Sequence, residues 1–504
     1  MYTIEYEINP KLPKLAWLAD INRNNGRIVV YAGSYVECHD SFFSAGAWSG
    51  DFISAGFDSS DVSYGTGAKL DAEGIHFYTP SHALERIVGY EDEKRIIFCN
   101  SVPMIMSYTD MELDPSIDQY ERYFCSILHG PQKCCNAIPM REGKYLYQYI
   151  VGSVTVDAEG KITYKRRAAV EPFKNFDDYY GRMMDDMRAV YANATSPDRK
   201  NTKYGLCTTI SSGYDSIANA AVARQLGCNR AVSLSGSIFD EDDGAVAARE
   251  MGYTNIIKRD HLSYREKKGC VDAEYISSGE IAKHQQFCVF EDQFADCLVF
   301  MGTRGDYFWG LNSEANNDFD MVGFFYNETD ISFTENALRN GYIFVAMATY
   351  GTSQSTTIQP ISKSEEMKPW RLGTEYDRPI PRRIAESVGA KRDSFGQSKR
   401  GGGFSFCYDT TKTLSRKMSF EGYSCFVEYC KTHKPVNKLS KYIHAVQFWS
   451  SFLPSYINFV FKKLHIKIHL KQKAMKVANP FVSSRLIFWS VDLMKKRYGD
   501  VLGK

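Results

Sequence analysis

The chain contains no Gly-Lys-Ser/Thr triplet, no Cys-x-x-Cys pair and no apolar run of membrane-helix length. The first absence excludes a Walker-type phosphate loop. The second argues against a zinc site: Cys134 and Cys135 are vicinal, and Cys425 and Cys430 have no His or Cys partners at zinc spacing. The third excludes a span of roughly 18 uninterrupted apolar residues. The opening Met1-Tyr-Thr-Ile-Glu-Tyr-Glu lacks the basic start and apolar core of a secretory signal. The thirteen cysteines are therefore expected to be reduced thiols in a cytoplasm. What is present suits a globular enzyme. Hydrophobic residues make up 44% and aromatics 14% of 504 residues, which at roughly 150 residues per domain suggests two to four units.

The most informative segment is Leu206-Cys-Thr-Thr-Ile-Ser-Ser-Gly-Tyr-Asp-Ser-Ile217, followed by Ala218-Asn-Ala-Ala-Val-Ala-Arg-Gln-Leu-Gly227. An apolar, β-branched stretch enters a small-residue turn, and an Ala-rich helix follows with Gly227 as its stop. A helix N-terminus offers unpaired N–H groups and the positive end of the helix dipole. Ser211, Ser212 and Gly213 add hydroxyl and amide donors in a tight turn suited to pyrophosphate oxygens. Asp215 would repel phosphate unless a divalent cation lay between them, which implies Mg2+. The same residues also read as an ordinary helix N-cap, and this segment alone does not separate the two.

Ser211-Ser-Gly-Tyr-Asp-Ser216 resembles the Ser-Gly-Gly-x-Asp-Ser loop of the N-type ATP pyrophosphatases, with Ser212 at a position usually Gly. Two further segments resemble the asparagine synthetase branch. Cys297-Leu-Val-Phe-Met-Gly-Thr-Arg-Gly-Asp-Tyr-Phe-Trp-Gly310 is similar to that family's second site loop and carries one carboxylate, Asp306, to share the metal with Asp215. Arg378 to Gly401 resembles the family segment in which a helix precedes an Arg-x-Lys turn, and the family's catalytic Lys falls on Lys399. The resemblance further implies that Thr209 and Ser211 to Ser216 hold the nucleotide, with Val232, Ser233, Met301 and Gly302 near adenine and ribose. Two departures stand out. Thr303 and Tyr307 occupy positions where the family commonly has acids, which turns the expectation away from asparagine itself but leaves adenylation in place.

Glutamine-dependent asparagine synthetases attack glutamine with a processed N-terminal Cys beside its own α-amine. Here Met1 precedes Tyr2, and the first Cys is Cys38. Residues 1 to about 170 nonetheless resemble the glutaminase fold. Val29–Val36, Gly74–Tyr78 and Arg95–Ser101 read as strands, and Gly65-Thr-Gly67 as a hairpin turn. The expectation is a degenerate Ntn-glutaminase-like domain without its nucleophile.

The middle of the chain alternates strands (206–210, 231–235, 255–257, 298–301) with helices (214–226 and one ending at Met251). This predicts a doubly wound parallel sheet with its ligand site beyond the C-terminal strand ends. Asp240-Glu-Asp-Asp243 reads as an acidic run at a helix start. The expected division is 1–175 glutaminase-like, 176–410 ATP-pyrophosphatase synthetase and 411–504 a basic helical region.

Charge is uneven. Residues 411–504 carry 18 Lys and Arg against 4 Asp and Glu, so the remainder is acidic. The readings of this tail are a helical subdomain packed on the core, peripheral attachment to an anionic membrane or nucleic-acid binding. No recognisable nucleic-acid motif supports the last. Together these features predict a Mg2+- and ATP-dependent ligase joining a small-molecule carboxylate to a nitrogen nucleophile through an acyl-adenylate. The alternatives are a catalytically silent scaffold, and a membrane-associated amidating enzyme of surface polysaccharide synthesis.

Overall fold

The computed structural model describes residues 2–117, 119–236, 243–281, 284–311, 331–374, 376–397, 406, 409–433, 442, 446, 453, 456–458, 460–461, 463–464 and 482–503. It is a mixed α/β molecule with two β-rich sheets and one parallel sheet. The first part of the chain supplies β1 (Thr3–Ile8), β2 (Trp17–Asn22), β3 (Arg27–Ala32), β4 (Glu37–Cys38), β5 (Phe42–Trp48), β6 (Ser63–Asp71), β7 (Gly74–Tyr78), β8 (Ile87–Glu91), β9 (Arg95–Cys99), β10 (Ala137–Pro139), β11 (Tyr145–Tyr149), β12 (Gly152–Val156) and β13 (Ile162–Arg166). They form a seven-stranded sheet ordered β1-β3-β2-β9-β8-β11-β10 and a six-stranded sheet ordered β13-β12-β7-β6-β5-β4. Aromatics bind the two sheets face to face. Trp17 of the first meets Phe43 and Phe77 of the second at 5.0 and 5.9 Å, and Phe77 meets Phe98 at 4.4 Å.

The strands expected around Val29, Gly74 and Arg95 are present as β3, β7 and β9. The expected hairpin at Gly65–Gly67 is not: these residues lie inside β6, paired with β5 from Gly46 to Ser44. The glycines serve close backbone approach instead of a turn. Gly65 has φ +74, and a Cβ there would lie 2.2 Å from the Ala45 carbonyl oxygen.

The second sheet-forming unit comprises β14 (Gly205–Thr209), β15 (Arg230–Ser235), β16 (Asn255–Asp260), β17 (Cys297–Phe300) and β18 (Ile343–Val345), all parallel, in the order β16-β15-β14-β17-β18. The chain starts in the middle at β14, moves outward to β16, then returns to the other side at β17. Helix Tyr214–Gln225 connects β14 to β15, and helix Ala245–Glu250 connects β15 to β16. Asp240 to Asp242 lie outside the described residues. Asp243 accepts the Ala245 N–H at 2.8 Å and pairs with Lys258 at the start of the helix.

The end of the chain is part of the core. Helix Ser483–Leu502 buries Leu486, Ile487, Trp489, Val491 and Tyr498, and packs on helix Val102–Thr109 of the first part. Helix Phe420–Thr432 joins it through Phe426 and Trp489, with ring centroids 5.6 Å apart. No helix among the described residues is long and apolar enough to cross a membrane.

One buried carboxylate ties three distant stretches together. Glu335 accepts the Ser101 hydroxyl at 2.7 Å on one oxygen and the Tyr498 hydroxyl at 2.7 Å on the other. Burial pushes its pKa from 4.5 up to about 7, against the pull of the two hydroxyl donors. A folded-state pKa above the unfolded value stabilises the fold fully below about pH 4.5, and that stabilisation is lost as pH rises through about 7. Glu335→Gln keeps an acceptor and a donor for the two hydroxyls without a titratable proton. Between about pH 5 and pH 8.5 the wild type is therefore expected to lose roughly 2–3 kcal/mol relative to the variant in urea unfolding. Parallel pH profiles for the two proteins would refute this role for Glu335.

Candidate functional site

Strand β14 stands where the direction of travel reverses, with β15 on one side and β17 on the other. Open α/β sheets bind ligands beyond the C-terminal ends of the strands at such a point. The turn 210–213 leaves β14 there, and helix Tyr214–Gln225 begins from it. The N-cap residue is Gly213, and no side chain caps the helix. The ordinary N-cap reading of the serines therefore does not describe this helix start. Ser216 instead holds the turn closed: its hydroxyl accepts the Ser211 N–H at 2.7 Å. The Ser211 hydroxyl accepts the Gly213 N–H at 3.3 Å.

The second loop abuts the first, backbone to backbone. A Cβ on Gly302 would fall 2.5 Å from the Ser216 nitrogen, and one on Gly305 would fall 2.5 Å from Cγ of Asp215. Both glycines are needed because the turn after β17 runs directly over residues 215–216. Arg304 between them has φ +66, and helix Gly305–Phe308 follows with Asp306 exposed in its first turn. Tyr307 packs against Phe308 at 5.1 Å.

A third segment closes on the same loop. The Gly396 N–H donates to the Ser212 carbonyl at 2.8 Å. Arg382, fully buried in helix Pro379–Ser387, donates to the Tyr214 hydroxyl, and the Tyr214 ring lies 4.9 Å from Tyr376 and 5.9 Å from Phe395. Arg378 reaches Asp215 itself: one guanidinium nitrogen lies 2.5 Å from each carboxylate oxygen. Arg378 is only 7% exposed and Asp215 18%. Burial works against the guanidinium charge, but the fields of Asp215 and Asp306 and the hydrogen bond to Asp215 hold its pKa above the ordinary value. Burial also raises Tyr376, to about 12.

Asp215, Gly302 and Asp306 thus converge with the 211–216 turn. Lys399 lies outside the described residues, three positions beyond Gly396. Val232 and Met301 are buried in the sheet, where the Val232 carbonyl accepts the Ile210 N–H at 2.9 Å and the Met301 N–H donates to Val345 at 3.1 Å. Thr209, at the end of β14, is buried and pairs with Val232. The Ser233 hydroxyl is buried with no hydrogen-bond partner among the described residues. Among those residues no group of three His, Cys, Asp or Glu side chains could hold a metal. Two carboxylates acting on one guanidinium nevertheless make a point suited to a cation. Arg378 was inside a segment singled out from the sequence, but nothing in its spacing tied it to Asp215, 163 residues away.

No protein-family model and no curated protein matches this chain.

Removing one partner of a pair this buried leaves the other charge uncompensated. Arg378→Ala is expected to cost about 3 kcal/mol in chemical unfolding. Adding Asp215→Asn should recover part of that loss in a double-mutant cycle. Strictly additive effects would show that the two side chains are not coupled.

Proposed function

We propose that this chain is an ATP-dependent, amide-forming ligase similar to the asparagine synthetases, with a doubly wound synthetase unit at 176–410. The observation that carries this reading is the meeting of the 211–216 turn, the Gly302–Asp306 turn and the Arg378–Gly396 segment at the reversal point of the parallel sheet. These are the three segments whose sequences resemble that family.

In this reading the amides at the start of helix Tyr214–Gln225, with the hydroxyls of Ser211 and Ser212, receive the pyrophosphate oxygens of ATP. Ser216 keeps the turn in shape. A substrate carboxylate oxygen attacks the α-phosphorus, forming an acyl-adenylate and releasing pyrophosphate. A nitrogen nucleophile then attacks the acyl carbon and expels AMP. Arg378 and Lys399 supply positive charge where negative charge builds on the phosphoryl oxygens. Adenine and ribose approach Thr209, Ser233 and Gly302, beside the buried Val232 and Met301. Asp215 and Asp306 would hold Mg2+ at the point where Arg378 now serves as the stand-in cation, and the ion would neutralise pyrophosphate charge.

In this reading the N-terminal sheets are a glutaminase-like partner domain. Tyr2 donates its hydroxyl to the Asp157 carbonyl at 2.6 Å, tying the first strand to the second sheet's turn. The nitrogen in this proposal is an amine other than ammonia from glutamine, and the carboxylate is a small molecule other than aspartate, in keeping with Thr303 and Tyr307. Pyrophosphate–ATP exchange across a panel of carboxylic acids tests the reading. Exchange is expected with a subset of acids and should fall at least 100-fold in Asp215→Ala and Lys399→Ala, a loss of about 2.7 kcal/mol of transition-state stabilisation. Exchange that survives both substitutions would remove these residues from the mechanism. Absence of ATP binding in calorimetry would favour a catalytically silent scaffold.

One observation favours a membrane-associated version of the same enzyme. Tyr442, Val446, Leu453 and Tyr456 are helical and exposed, and Leu464 is exposed beyond them. They lie in the basic region, where Lys and Arg outnumber Asp and Glu by 18 to 4. Full-length protein is expected to co-sediment with vesicles containing phosphatidylserine and to be released by salt or by Val446→Asp with Leu453→Asp. Equal partition onto neutral vesicles, or none onto either, would remove the membrane from the proposal.

A further inference from the structure

A thiol pair far from the candidate site joins the C-terminal region to the parallel-sheet unit. Cys270 is 4% exposed and precedes helix Val271–Ile276, with φ +48. Its Sγ lies 3.0 Å from Sγ of Cys425, which is half-buried on helix Phe420–Thr432. The two residues are 155 positions apart. Neither belongs to the mechanism proposed above.

The corner that presents Cys270 is gripped from two sides. The Gly269 N–H donates to Glu421 Oε2 at 2.8 Å, from the same helix as Cys425. Arg497, on helix Ser483–Leu502, donates to the Gly269 carbonyl. Gly269 and Cys270 both have positive φ, +86 and +48. A positive φ is uncommon for Cys and persists only where the surroundings enforce it. Here the enforcing contacts come from the two C-terminal helices, and their effect is to aim one thiol at the other.

We propose that Cys270 and Cys425 are an oxidisable dithiol, a modification site at which a peroxide forms a disulfide between helix Phe420–Thr432 and the corner before helix Val271–Ile276. The sulfurs already stand within side-chain rotation of a bond of about 2 Å. Cys425, the more accessible thiol, is the entry point. Its thiolate attacks a peroxide oxygen, the O–O bond breaks, and Cys425 becomes a sulfenic acid while water or an alcohol leaves. The Cys270 sulfur then attacks the sulfenic sulfur, the S–O bond breaks and a second water leaves with the Cys270 proton. Two thiols lose two electrons and two protons, and the peroxide takes up both. Burial, the neighbouring Cys425 and the Glu421 charge hold the Cys270 thiol in its protonated form, while Arg497 opposes them. This order of attack follows from that difference in access.

The test uses the native full-length protein, treated with about one equivalent of hydrogen peroxide, alkylated and digested without reduction. Mass spectrometry is expected to find the peptides containing Cys270 and Cys425 joined before any other cysteine pair. Dithiothreitol should separate them, and Cys270→Ser should leave Cys425 as a trappable sulfenic acid. The joined form should also resist proteolysis between residues 411 and 433 more than the reduced form. Cys425→Ser, at a half-buried position, should fold and give no joined peptide. Failure of the pair to join while other cysteines oxidise would overturn the proposal. So would equal joining in urea-unfolded protein, which would make the linkage independent of this geometry.

Discussion

A carboxylate enclosed where two backbone turns meet is stabilised most by a cation beside it. Asp215 is that carboxylate. Gly305 lies so close that even a methyl group there would strike its side chain, and Gly302 presses on the next peptide. Arg378 supplies the positive charge. Much of the local architecture follows from that pairing. To place a guanidinium there, the chain after residue 375 must return to the 211–216 turn, and Tyr376, Arg382, Phe395 and Gly396 all pack or hydrogen-bond against residues 212–214 on the way. The ion pair thus positions the segment that leads to Lys399.

A second constraint acts at the scale of the whole molecule. The N-terminal sheets and the parallel sheet share one continuous core rather than meeting across a thin polar seam. The last helix is wedged into it, with Tyr498 and Ser101 on the two oxygens of Glu335. Buried Arg86 adds a further tie, donating to the carbonyls of Phe124 and Ser278. The N-terminal sheets thereby serve as half of a shared scaffold. Losing them would expose apolar surface on both sides of the junction.

Much of the parallel-sheet unit is legible in the sequence because its signals are local. The runs at 206–210, 231–235 and 298–301 are short, apolar and bounded by small residues, and each is a strand within a residue or two of its expected limits. The Ala-rich run after Gly213 is a helix for the same reason. Long-range choices are not legible in this way. Gly65 and Gly67 look like turn residues because glycine permits turns, yet here they admit the backbone of β5, which no local pattern announces. The tail shows the same limit. Its composition separates a basic region from an acidic remainder, but it does not reveal that Ser483–Leu502 is core while Tyr442, Val446, Leu453 and Tyr456 are exposed.

The Arg378–Asp215 pair also sharpens what the opening serine-rich turn requires chemically. An acidic residue at a helix N-terminus is favourable alone, because the dipole welcomes it. A phosphate group arriving at the same N-terminus competes with it for the same amides. Pairing Asp215 with a guanidinium removes that competition, leaving the helix dipole and the Ser211 and Ser212 donors to face an anion. Arg378 can then do for an incoming pyrophosphate what it already does for Asp215, since its planar fork suits phosphate and carboxylate alike. In the proposed ligase, binding nucleotide is therefore an exchange of partners around a cation that is already in place. That avoids bringing an isolated negative charge into a buried, acidic turn.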